Sequence, residues 1–146
     1  MDRAHISTGT RRTVAAAFLP SPAVLGGSAA LHTDGMERLL PLLARGGARA
    51  MFSGHEHNFQ HSRHDGVDYF VSGAGSKLRK GALDWFGAAH TVSWSDHAHF
   101  LLVTIEGSTM RVRAIGDLGD SGVQDPPRYS RAGQPVTGDI VIPIER

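Results

Sequence analysis

Apolar residues recur at Met36, Leu39, Leu40 and Leu43 in the stretch DGMERLLPLLARGG. That i, i+3, i+4, i+7 spacing marks one face of a helix. Asp34 can cap such a helix, and Gly46 and Gly47 end it. Pro41 lacks an amide hydrogen and should kink or loosen the middle. Shorter apolar runs read as buried strands: RTVAAAF (Arg12 to Phe18), stopped by Pro20 and Pro22; ARAMFSG; and VDYFVSGAG (Val67 to Gly75). In HFLLVTIEGSTMRVRAIG (His99 to Gly116) two alternating runs flank EGST, the pattern of a β-hairpin. DIVIPI reads as a closing strand. AVLGGSAALHTDG, SKLRKGALDWFGAAH and the Gly-, Pro- and Asp-rich tail read mostly as loop. Residues 1–12 form a polar lead-in. Strand, helix, strand, strand and then a hairpin imply an α/β layer with a mixed sheet plus a β-hairpin.

Composition narrows the class. The 146 residues fit one domain, with 40% hydrophobic and 20% charged residues, the balance of an ordinary globular chain. The formal charge is +1 and no basic block stands out, so neither nucleic acid nor an acidic membrane surface is an expected partner. No signal peptide and no membrane-spanning run is visible in this sequence, and its compartment stays undetermined. The absence of cysteine excludes thiolate metal sites, thiol nucleophiles and disulfides. Histidine is over-used: there are nine, five of them from His55 to His90.

The run MFSGHEHNFQHS concentrates that chemistry. In extended backbone His55 and His57 project to one side and Glu56 to the other. Gly54 lets the chain turn without a Cβ. Imidazole carries a free lone pair near neutral pH and ligates zinc or iron. On spacing alone, a solvated pair of histidines in a polar turn explains the pattern as well. A single zinc or iron could take one extra carboxylate or histidine beside His55 and His57, and His61 and His64 are nearby candidates, but both read better as hairpin residues, with Asp65-Gly66 as the turn. In SGAGSKLR, Lys77 and Arg79 could meet a phosphate, although small residues after a strand serve packing and such cations are more often solvated. Trp85, Phe86 and Trp94 read as packing or as the rim of a substrate mouth.

The wider stretch LLPLLARGGARAMFSGHEHNFQHSRHDGVDYFVSGAGSKLR resembles the C-terminal half of the calcineurin-like metallophosphoesterases, and within them the purple and tartrate-resistant acid phosphatase branch. The matching pieces are FSGHEHNFQH and GVDYFVSGAGSKLR, specific over residues 39–79 within a partial domain spanning 13–146. The resemblance implies the C-terminal half of an α/β/β/α sandwich. It implies phosphomonoester hydrolysis by two metals drawn from Fe, Zn or Mn, with a phosphate ester as substrate. It assigns His55 to the divalent ion and His57 to the iron-type ion. Glu56 stands where Asp is usual. His32, in ALHTDG, resembles a loop histidine of some relatives and is a candidate substrate-side group.

The same resemblance exposes what is missing. The family's Gly-Asp, Gly-Asp-x-x-Tyr and Gly-Asn-His blocks precede Gly-His-x-His, and none occurs in the 54 residues before His55. Asn58 is the only asparagine, so no separate Asn ligand exists in this sequence. Ala17, Phe18 and Leu19 occupy the strand end where a further histidine is expected. Gly116-Asp117, Gly119-Asp120 and Gly138-Asp139 lie on the wrong side of the histidines and read as turns. Two imidazoles support at most one weakly held ion, whereas a bridged pair needs many more ligands. The alternative is a non-catalytic remnant or binding module. In either case, the sheet face that normally meets the rest of the sandwich should be apolar and exposed, and available for association.

Overall fold

The computed structural model describes residues 33–54, 56–75, 77–78, 80, 90–117 and 123–144. The expected strand at 12–18, the strand-end positions 17–19, His32, His55, Arg79, Trp85, Phe86 and Gly119-Asp120 lie outside these residues.

Helix α1 (Thr33–Arg45) starts one residue before the expected cap and contains Pro41. It stops in a Schellman arrangement: Ala48 N–H reaches Leu43 O at 3.0 Å and Gly47 N–H reaches Ala44 O at 3.2 Å. Gly47 takes a φ of 77°, which glycine adopts without the steric cost of a Cβ. Chain reversal delivers β1 (Ala50–Ser53), β2 (Phe59–His64) and β3 (Val67–Ser72). β2 and β3 form a hairpin closed by Asp65 (φ 49°) and Gly66 (φ 74°). Two successive positive φ values match the right-handed twist of the strands. The reading of His61 and His64 as hairpin residues holds. β4 (Thr91–Ser95) follows, in a stretch the sequence pattern did not mark as a strand.

β5 (Phe100–Glu106) and β6 (Thr109–Asp117) form the second hairpin, with Gly107 at φ 56° in its two-residue turn. Two-residue strands β7 (Val123–Gln124), β8 (Arg128–Tyr129) and β9 (Pro135–Val136) punctuate the tail. β10 (Ile140–Pro143) closes it.

The first sheet runs β1-β3-β2-β4-β8-β9, with β1 and β3 parallel and the other pairings antiparallel. The second runs β10-β6-β5, with β7 paired to β6. Period-two alternation sorts the side chains of β3 to two faces. Met51, Val67, Tyr69 and Val71 pack under Leu39, Leu40, Leu43 and Ala44 of α1. Burial and the Asp65 charge push the Tyr69 phenol up to about 12. Ala50, Phe59 and Phe70 face the other way and meet Met110, Val112, Ala114, Ile140 and Ile142. The described residues thus stack helix, sheet, sheet, with one apolar cluster on each face of the first sheet: a mixed α/β fold with a hairpin, as the sequence pattern implies.

Two expectations need correction. The inner face of the first sheet is not bare, because this chain's own β5, β6 and β10 cover it. Exposed apolar side chains gather instead along β5, at the edge of the second sheet: Phe100 is 58% exposed, Ile105 50% and Val103 39%. In addition, Gly116-Asp117 is no turn. Gly116 is buried inside β6, where a Cβ would sit 2.8 Å from the Ala98 carbonyl oxygen.

Candidate functional site

Parallel β1 and β3 end side by side, Ser53 opposite Val71. Beyond them the chain must turn, and ligands in open α/β sheets gather at such carboxyl ends. Gly54 follows β1, and the Glu56 N–H closes a tight turn onto the Gly54 carbonyl at 3.1 Å. His57 and Asn58 then lead into β2. Asn58 is fully buried; its Oδ1 accepts from Gln60 Nε2 at 3.0 Å, and its carbonyl accepts from Gly73 N–H at 3.4 Å. The turn is therefore tied to the Ser72-Gly73-Ala74-Gly75 segment that ends β3. The residues that follow β1 and those that follow β3 thus meet at the same end of one sheet.

His57 is half-buried in this turn. His61 is not there. It points into the core, where its Nε2–H donates to Asp68 Oδ1 at 2.6 Å and its ring stacks on Phe70 at 4.8 Å. Arg63 Nε donates to the same oxygen at 2.9 Å. His64 sits near the hairpin tip, its ring 4.4 Å from that of His90. Lys77 is exposed, as a solvated cation should be. Trp94 packs on Tyr129 at 5.5 Å. Among the described residues no three His, Asp or Glu side chains converge on a point that could hold a metal. His55, which the resemblance makes a ligand, lies outside the described residues.

The structure brings other residues to this end of the sheet. Ser72, Phe59 and Ser95 are paired across β3, β2 and β4 as one rung on the inner face. The link from β4 to β5 folds His99 over that rung. Its Nδ1–H donates to the His97 carbonyl at 2.9 Å, and its Nε2 lies 3.1 Å from Ser72 Oγ. Its backbone N–H reaches Ala74 O at 3.3 Å. The imidazole stands edge-on to Phe59 at 5.5 Å and 90°. Burial lowers the His99 pKa, and the bond to the His97 carbonyl offsets this in part. Arg128 approaches the same Phe59 ring, with Cζ 6.0 Å from its centroid. It is 5% exposed, donates Nη2 to the Gly138 carbonyl, and leaves Nη1 without a hydrogen-bond partner. Desolvation lowers its pKa, yet a guanidinium keeps its proton in proteins.

His99, Ser72 and Arg128 were not singled out from the sequence. One signal was available: SDHAHF repeats the His-x-His spacing just ahead of a strong strand.

No protein-family model matches the sequence, and no curated protein shows significant similarity to it. Similarity appears among solved structures. GAP50, described as the anchor in the inner membrane complex of Plasmodium, matches over 73% of this chain at TM-score 0.58 and 16% identity. A double mutant of Vps29 from Entamoeba histolytica, a protein of metallophosphoesterase fold, matches over 72% at TM-score 0.41 and 16% identity. The chain spans 34% of the GAP50 chain and 52% of the Vps29 chain. At this identity the likeness to GAP50 concerns the fold alone.

Proposed function

We propose that this chain carries the C-terminal part of a calcineurin-like phosphoesterase domain, of the acid-phosphatase type, and is by itself a poor phosphatase. The observation that carries this reading is the docking of the Gly54–Asn58 turn beside Ser72–Gly75 at the carboxyl ends of parallel β1 and β3. These are the two segments on which the sequence resemblance rests. In that reading His55 and His57 are ligands for an iron, zinc or manganese ion, and His32 is a substrate-side group. A phosphate ester is the substrate of the complete site. Two imidazoles hold an ion weakly and cannot place a second one beside it. Hydroxide is then neither acidified nor aligned with phosphorus, and each loss is worth several kcal/mol of barrier. Two losses of ~3 kcal/mol slow the reaction by roughly four orders of magnitude.

The experiment pairs metal analysis with turnover of an aryl phosphate in the presence of zinc, iron or manganese. Wild type should take up an ion weakly, lose it on His55→Ala/His57→Ala, and turn over little or no substrate. Robust metal-dependent turnover abolished by His55→Ala would overthrow the reading.

A further inference from the structure

The geometry at Ser72 and His99 supports chemistry that needs no metal and does not depend on the phosphoesterase reading. A backbone carbonyl only accepts hydrogen bonds, so the 2.9 Å contact from Nδ1 to His97 O places the ring hydrogen on Nδ1. In the neutral ring Nε2 is then a bare lone pair, and it lies 3.1 Å from Ser72 Oγ. The hydroxyl must donate to it. This is the relation between a serine nucleophile and its general base, with the base oriented from behind by a second acceptor.

Three features hold the imidazole in that pose. The backbone N–H of His99 is anchored to Ala74 O. Its face is set by the edge-on contact with Phe59. Gly116, having no side chain, admits the Ala98 carbonyl that precedes it. His99 is 6% exposed, whereas Ser72 is only half-buried, so the nucleophile is the more accessible partner. Arg128, a buried cation with an unpartnered Nη1, also lies against the Phe59 ring, its Cζ 6.0 Å from the centroid. Its charge favours negative charge developing nearby in a low-dielectric interior.

We propose that Ser72 and His99 form a nucleophile–base pair for acyl transfer from carboxylic esters. Ser72 Oγ attacks the ester carbonyl carbon while its proton passes to His99 Nε2. The carbon–oxygen bond to the alcohol breaks, and the same proton leaves with the alcohol. Water then attacks the acyl-serine and gives one proton to His99. The acid departs and Ser72 recovers that proton.

The test uses the full chain with a metal chelator present, so that its outcome is separate from any metal-dependent activity. An alkyl fluorophosphonate probe reports activated serine directly. Ser72 Oγ bonds to phosphorus, the phosphorus–fluorine bond breaks, and the proton and fluoride leave. Intact mass and peptide mapping should show one adduct, on Ser72, absent in Ser72→Ala. His99→Gln should slow labelling by roughly 100-fold or more, the usual contribution of a positioned base, with circular dichroism unchanged. If His99→Gln does not fold, wild type unfolded in urea replaces it and should lose labelling. No adduct on Ser72 after prolonged exposure at millimolar probe, or equal labelling in His99→Gln or in urea, would overturn the assignment.

Discussion

Asp68 is the most informative residue to remove. It lies 3% exposed on the inner face of β3, and its Oδ1 receives both the His61 imidazole and the Arg63 guanidinium. Asp68→Ala leaves the His61 N–H buried without an acceptor, beside an Nδ1 that already has no hydrogen-bond partner. An orphaned buried donor costs about 1–3 kcal/mol. Arg63 adds less, because its side chain is 52% exposed and can return to water; a half-solvated pair of this kind is worth under ~1 kcal/mol. His61 also continues a stack through Phe70 to Phe52, with centroids 4.8 and 4.9 Å apart, so any tilt of the imidazole loosens the core. The sum is about 1–4 kcal/mol for Asp68→Ala and under ~1 kcal/mol for Arg63→Gln. For a chain of this size each kcal/mol lowers Tm by roughly 2–4 °C, so the Tm of Asp68→Ala should fall by about 2–16 °C. Urea denaturation of wild type, both single variants and Arg63→Gln/Asp68→Ala separates the contributions. The reasoning fails if Asp68→Ala costs under ~1 kcal/mol, or if Arg63→Gln alone costs as much as Asp68→Ala.

Three further outcomes follow from the geometry. Gly116→Ala should destabilise by about 1–3 kcal/mol, because its Cβ would sit 2.8 Å from the Ala98 carbonyl; an unchanged urea midpoint would refute that close approach. Gly66→Val, at φ 74° in the β2–β3 turn, should cost about 1–2 kcal/mol through left-handed strain, measured in the same way. The folded pKa of His99 lies below its unfolded value because burial opposes the charge. Its contribution is therefore fully present above about pH 6.5 and is lost as the pH falls through the folded pKa. Wild type should lose more stability from pH 7.5 to 5 than His99→Gln does, and parallel pH profiles would rule this out.

Local spacing was enough to define several elements. The i, i+3, i+4, i+7 leucines and the paired glycines specify α1 and its stop. Asp65-Gly66 and Gly107 specify two hairpins, because only a few residues tolerate positive φ. The Gly-His-x-His run after a short apolar strand pointed to the end of the sheet where the turn indeed lies. Other features depend on contacts between residues distant in the chain, which no local window contains. β4 is only partly apolar and becomes a strand because β2 offers it hydrogen bonds on its free edge. The hairpin at the back of the chain proved to be the cover for the first sheet, since Met110 and Val112 need Phe70 and Phe59 as partners to leave water. Ser72 and His99 are 27 residues apart; only the crossing from one sheet to the other puts an imidazole lone pair against that hydroxyl. The Gly-His-x-His turn was thus local and readable, whereas the pairing of Ser72 with His99 was set by which sheet faces close on each other to bury apolar surface.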